Sequence, residues 1–126
     1  MPAEESGSYP SIVDVIDDAA VKYADRDCMA YSTATPDRKP TDAADFKYHT
    51  YSEIHGMIKK VAASVMKMNP QEPGAEKPKV GIWTMTSFHM RMCMLSFLKA
   101  GYVVVPVFDA LGENGMSYMF GLSNFF

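Results

Sequence analysis

The chain has 126 residues, 48% hydrophobic and 21% charged, the composition of one folded domain rather than of a disordered segment or a multi-domain machine. Twelve Lys and Arg against fifteen Asp and Glu leave a formal net charge of −3, which offers no electrostatic footprint for a phosphate backbone and sets nucleic acid aside as a partner. Cys28 and Cys93 lie far apart with no CxxC or Cys/His ligand spacing, so neither a disulfide framework nor a zinc site is indicated, and a reducing compartment is expected.

Residues 1–10 are small, acidic and turn-forming with no apolar period, and they read as a flexible leader. They carry neither the basic start and apolar run of a secretory signal nor an arginine-rich transit pattern, so a cytoplasmic chain is expected. From Ser11, an N-cap, the residues Ile12, Val13, Val15, Ile16, Ala19, Ala20 and Tyr23 recur at helical spacing. Asp25-Arg26-Asp27 closes this helix, and residues 28–32 form a short strand candidate with 46–49 as its hairpin partner across a polar loop at 35–45.

Thr50-Tyr51-Ser52-Glu53 has capping-box spacing, so a second helix is expected to start there. Its apolar face is Ile54, Met57, Ile58, Val61, Ala62, Val65 and Met66, and it ends near Asn69-Pro70, before a polar linker at 71–78. A strand at 79–85, a helix at 87–100 closed by Gly101, and a strand at 102–107 then make a parallel βαβ unit. Parallel strands are normally covered on both faces. The crossover helix is apolar nearly all round, through Phe88, Met90, Met92, Met94, Leu95, Phe97 and Leu98, and is expected to be buried. His89, Arg91 and Lys99 break the apolar region 80–108, so it reads as core and not as a transmembrane segment.

Residues 109–115 read as a loop, and Met116, Tyr118, Met119 and Leu122 open another helical period. That period stops at Phe125-Phe126, so residues 11–126 are expected to be a partial domain, truncated at its C-terminal end.

The chemistry-bearing residues are sparse. His49, His55 and His89 show no HExxH pattern, no neighbouring carboxylate pair and no shared face, and are expected to be surface or partly buried residues. Gly112-Glu113-Asn114-Gly115 lacks the Lys-Ser/Thr ending of a phosphate loop and reads as a turn. Cys93 is expected to be a small buried hydrophobe, and nothing near Cys28 in sequence would stabilise a thiolate. Met90, Met92 and Met94 fit either core filling or an adaptable apolar pocket. Asp14, Asp17 and Asp18 are expected to form a solvated helix start that complements the helix dipole.

Taken together, the words at the joints resemble the N-terminal part of the adenylate-forming, AMP-binding superfamily, most closely the long-chain acyl-CoA synthetases. The resemblance runs from Ser11-Ile12-Val13-Asp14 and Tyr23-Ala24-Asp25-Arg26, through Tyr48-His49-Thr50-Tyr51-Ser52-Glu53 and Val80-Gly81-Ile82-Trp83. Its most specific piece is Val105-Pro106-Val107-Phe108-Asp109-Ala110-Leu111-Gly112. Two departures are Ala24, where the family usually has proline, and Met85-Thr86-Ser87-Phe88-His89, which replaces its usual Asn and Glu-Trp.

The resemblance implies a parent ligase that uses ATP and Mg²⁺ to turn a fatty acid into an acyl adenylate and then transfers the acyl group to coenzyme A. Such a parent would be cytoplasmic or peripheral on an intracellular membrane. The family's phosphate loop, adenine and ribose contacts, hinge and mobile lysine would all lie beyond Phe126. The resemblance therefore assigns this chain no catalytic, cofactor-binding or metal residue; its expected partner is the rest of the parent chain, and it is expected to be inactive alone. The alternative is a stand-alone interaction or lipid-binding module, motivated by the unfinished apolar surface. Within the superfamily a different carboxylic acid is also open.

Overall fold

The structure, a computed structural model, describes residues 11–123 apart from 36, 38 and 109. The expected leader at 1–10 and the Phe125-Phe126 end lie outside the described residues. Among the described residues the order is α1 (Ile12–Lys22), β1 (Asp27–Ser32), a single 3₁₀ turn (Ala43–Asp45), β2 (Phe46–Thr50), α2 (Tyr51–Met68), β3 (Lys79–Trp83), α3 (Phe88–Lys99), β4 (Val103–Val107) and α4 (Glu113–Ser123). The strands β1 and β2 form an antiparallel hairpin, and β3 and β4 a parallel pair, so the α/β reading and the βαβ unit hold.

The helix starts follow local chemistry. Ser11 and Ser87 accept from the backbone N–H of Asp14 and Met90, which satisfies one orphan donor at each helix start. At α2 the full capping box forms: Glu53 N–H donates to Thr50 Oγ1 at 3.2 Å, and Thr50 N–H donates to Glu53 Oε2 at 3.1 Å.

The end of α3 explains why the neighbouring boundaries fall inside the expected ones. Tyr102 N–H donates to the Phe97 carbonyl and Gly101 N–H to the Leu98 carbonyl, with Gly101 at φ 87°, the left-handed Schellman closure. Phe97 and Tyr102 meet edge to face at 5.2 Å beneath it. Ala100 is thereby the cap rather than a helical residue, and Tyr102, its N–H already engaged, precedes β4 instead of opening it. Expected strand 79–85 stops at Trp83 because Trp83 pairs with Val107, where β4 ends. The expected loop at 109–115 is also corrected. Gly112 carbonyl accepts from Met116 N–H at 3.0 Å, so Glu113, Asn114 and Gly115 form the first turn of α4.

The core sits along α2. Ile54 and Ile58 join Met92 of α3, with Ile16, Cys28, Met29, Phe88 and Leu95 packed around them. Two turns on, Ala62 and Val65 join Ala100 and Tyr102, with Val80 and Phe97. Val61 and Met66, expected on this face, are 41% and 52% exposed, because the buried stripe is narrower than the apolar one.

α3 is likewise only partly buried. Met90, Met92 and Ser96 are inside, but Cys93 is exposed and Met94, Leu95, Phe97 and Leu98 are half-buried, since α2 covers one side only. Ser96 donates its hydroxyl to the Met92 carbonyl at 2.6 Å, which removes the cost of burying it. Around the parallel pair, Ile82 points inward, whereas Trp83, Met85 and Phe108 are 60%, 70% and 64% exposed.

The same substitution is expected to have opposite signs at two glycines. Gly101→Ala has open space for its methyl group but forces an L side chain into left-handed backbone, and should lower the urea midpoint by about 1–2 kcal/mol of stability. Gly56→Ala, in helical backbone with nothing within 4 Å of the new carbon, should raise stability by about 1 kcal/mol. Equal urea midpoints for both variants and the parent would contradict this account.

Candidate functional site

Three helices meet at the Asp17 carboxylate. Lys99 Nζ donates to Oδ1 at 2.7 Å and to Oδ2 at 2.8 Å, and His55 Nε2 stands 2.8 Å from Oδ1. Asp17 therefore departs from the expected solvated acidic start. Asp14 stays beside its cap Ser11 and Asp18 pairs with Lys22 at 3.2 Å, while Asp17 faces α2 and α3. The Lys99 contact is the main cause holding the Asp17 carboxyl below its ordinary 3.8; partial burial opposes it, and His55 adds to it. An ionised carboxylate carries no proton, so His55 Nε2 is the donor in that bond.

His49 belongs to a second group. Its ring is buried, its Nδ1 lies 3.2 Å from Glu53 Oε2, and it stacks against Tyr31 at 5.8 Å and Phe88 at 5.4 Å. Exposed His89 borders the same rings, 6.3 Å from Tyr31 and 5.6 Å from Phe88. The hairpin and the α3 start thus bring together two histidines that their sequence positions keep apart, while His55 stays at the Asp17 clamp. No thiol or hydroxyl nucleophile is hydrogen-bonded to any of the three among the described residues, so the arrangement orients rings rather than activating an attacking atom.

Between the hairpin and α3 two hollows meet. The larger, about 480 Å³, is lined by Cys28, Met29, Ala30, Thr86, Ser87, Phe88, Arg91 and Leu95. The smaller, about 250 Å³, shares Cys28, Met29 and Leu95 and is closed by Val15, Ile16, Ala19, Tyr51, Ile54 and His55. The register of β1 slips between Asp27 and Met29, a bulge at Cys28 that lets Cys28 and Met29 face the same core. A third hollow, about 420 Å³, lies outside the hairpin between Lys47 and Lys60, with Glu53 on its wall.

Cys28 is half-buried and burial pushes its thiol up, whereas Cys93, expected inside, stands exposed on α3. Gly112 to Gly115 lead into α4, and an added carbon at Gly115 would sit 3.3 Å from the Leu111 side chain. Among the described residues no group of three His, Cys, Asp or Glu side chains could hold a metal ion. No helix among them is long and apolar enough to cross a membrane.

No family model matches the sequence, and no curated protein matches it. Solved structures do. The chain is similar to the N-terminal subdomain of Klebsiella oxytoca NpsA, with a TM-score of 0.68 at 21% identity, over 90% of this chain and 26% of that one. A second structure of that subdomain, in complex with 3-hydroxyanthranilyl-AMSN, gives 0.69 at 20% identity over 90% and 25%. The fatty acid AMP ligase from Legionella pneumophila gives 0.66 at 17% identity over 90% and 18%. The chain thus shares the fold of part of each of these structures, and it spans about a quarter or less of their length.

Two measurements check the local chemistry. Asp17→Asn keeps the shape of the side chain and removes its charge; with the carboxylate 41% exposed and screened by solvent, a loss of about 1 kcal/mol at neutral pH is expected. A folded value below the ordinary 3.8 stabilises fully above it and loses that contribution as pH falls through the folded value. Thermal melts of the parent and Asp17→Asn should therefore differ at neutral pH and converge in strong acid. Separately, pulsed alkylation followed by mass spectrometry should modify Cys93 well before Cys28, and the reverse order would show the burial assignment to be wrong.

Proposed function

We propose that this chain is the opening part of a ligase that activates a long-chain fatty acid as its acyl adenylate and passes the acyl group to coenzyme A. The observation that carries the reading is the likeness, over 90% of the chain, to the N-terminal subdomain of NpsA and to part of a fatty acid AMP ligase. The Val105-to-Gly112 segment, similar to that of long-chain acyl-CoA synthetases, supports fatty acid and coenzyme A as the finer choice.

In this reading the reaction consumes ATP. A carboxylate oxygen attacks the α-phosphorus, pyrophosphate leaves, and a thiol then displaces AMP from the acyl carbon. The first step places negative charge on the leaving pyrophosphate, which demands a dense set of donors and cations. The described residues form no such set, and in this reading their role is to build the wall on which the remaining parts of the ligase close. ATP, Mg²⁺ and coenzyme A belong to those parts.

The test starts from the native transcript through the codon for Phe126, paired with the intact mass of the endogenous protein. That protein should exchange pyrophosphate into ATP when supplied with palmitate, and purified residues 1–126 should show no exchange above a blank preparation. Exchange with 3-hydroxyanthranilate but not palmitate would move the substrate to aryl acids. A stop at Phe126 with a matching mass of 14.0 kDa would sink the ligase reading and favour an interaction or lipid-binding role.

A further inference from the structure

We propose that the open edge of β2 takes up an extended acidic peptide segment of another protein as an added strand, with the segment's carboxylates at Lys47 and Lys60. The surface needs no ligase chemistry, so its failure would leave the preceding reading untouched.

The hairpin has two strands only, so the outer edge of each meets no third strand among the described residues. Register decides what β2 presents there. Thr33 N–H donates to the Asp45 carbonyl at 2.7 Å, and hydrogen-bonded pairs of an antiparallel ladder recur every second residue. Tyr31–Lys47 and Met29–His49 are therefore the pairs that exchange bonds across the hairpin, whereas the N–H and C=O of Tyr48 point away from β1. The neighbouring donors are already engaged, Phe46 N–H by the Ala43 carbonyl and Thr50 N–H by Glu53. Exposed Tyr48 thus keeps one open backbone donor and one open acceptor among the described residues, the pair that an extended backbone satisfies.

The side chains around this edge select the segment. Lys47 and Lys60 line the third hollow, both exposed and neither in an ion pair among the described residues. Glu53, on the same wall, already accepts from Thr50 N–H and stands 3.2 Å from His49 Nδ1. Two open ammonium groups against one engaged carboxylate favour an anionic side chain over a cationic one. Phe46 and Tyr48 alternate with Lys47 and so share the other face of β2, exposed and with ring centroids 6.5 Å apart. An added strand turns its side chains to those two faces in alternation, so the segment that fits alternates acidic with apolar residues.

Gly56 is an independent mark of the same surface. It lines the hollow inside α2, where glycine costs about 1 kcal/mol against alanine, yet nothing in the chain lies within 4 Å of where a side chain would begin. Packing within the chain gives no reason for the missing side chain. A strand laid along β2 does, because its inward side chains would enter the hollow there.

The test uses the 126-residue chain and two synthetic hexapeptides with blocked ends, one alternating valine and glutamate, the other valine and lysine. The acidic peptide should bind in calorimetric titration and slow exchange of the Tyr48 amide, read by nuclear magnetic resonance, while the amides of Lys47 and His49, bonded to β1, keep their rates. The basic peptide should do neither. Lys47→Gln combined with Lys60→Gln should weaken the acidic peptide about fivefold, the scale of two exposed ion pairs. Gly56→Gln should abolish binding while raising the urea midpoint, which separates a blocked hollow from a damaged fold. The proposal is overturned by absent binding of the acidic peptide, by equal binding of both peptides, by full affinity in either variant, or by an unprotected Tyr48 amide in the bound state. Protection of that amide by phosphatidylserine vesicles and not by the peptide would assign the surface to a membrane, and would overturn it as well.

Discussion

One apolar stripe on α2 holds the described structure together. The hairpin and the parallel pair share no strand hydrogen bonds, so they are separate sheets that need a common support. Ile54 and Ile58 supply it on the hairpin side, and Ala62 and Val65 on the crossover side, with Ile58 only 1% exposed. Burying a side chain of that size fully contributes about 1.5–3 kcal/mol, more than any exposed ion pair in the molecule can. Because the stripe has to meet both sheets, its length and its capping-box start set where each unit sits along α2.

The Asp17 clamp is subordinate to that packing but sharpens it. Hydrophobic contact is non-directional and tolerates sliding of one helix along another, whereas a carboxylate that takes a lysine on both oxygens and a histidine on one accepts only a narrow range of helix positions. α1 touches the rest through small and β-branched residues, so its placement gains most from a directional contact. The half-exposed setting explains why three groups of this kind can be tolerated: water still reaches them, and the desolvation cost stays small.

What the sequence made legible was local. Ser11, Thr50 with Glu53, Ser87 and Gly101 each announce a helix boundary through bonds within five residues, and all four do what their chemistry dictates. Apolar periodicity located the helices but overstated their buried faces, as Val61, Met66 and Cys93 show, because periodicity does not reveal how many neighbours a helix has. The joined hollows and the clamp were illegible for a different reason. Asp17 meets partners 38 and 82 positions away, and the Cys28 bulge depends on strand register, so neither leaves a pattern in a short window. In the sequence Arg91 is only a break in an apolar run, and that no described residue forms an ion pair with it is a property of three dimensions.

The closure at the end of α3 also bears on how the chain finds its fold. Its hydrogen bonds and the Phe97–Tyr102 ring contact join residues no more than five apart, so they form at little entropic cost and on the timescale of helix growth. Parallel pairing is the expensive step, since Lys79 reaches Val103 only after the whole crossover has looped back. Once the turn at Gly101 has formed, β4 already runs back beside its own helix, and the Asn69 side chain donates to the Tyr102 hydroxyl at 2.7 Å to moor the end of α2 at the same point. The search for the non-local partner is then confined to one strand arriving at a prepared edge.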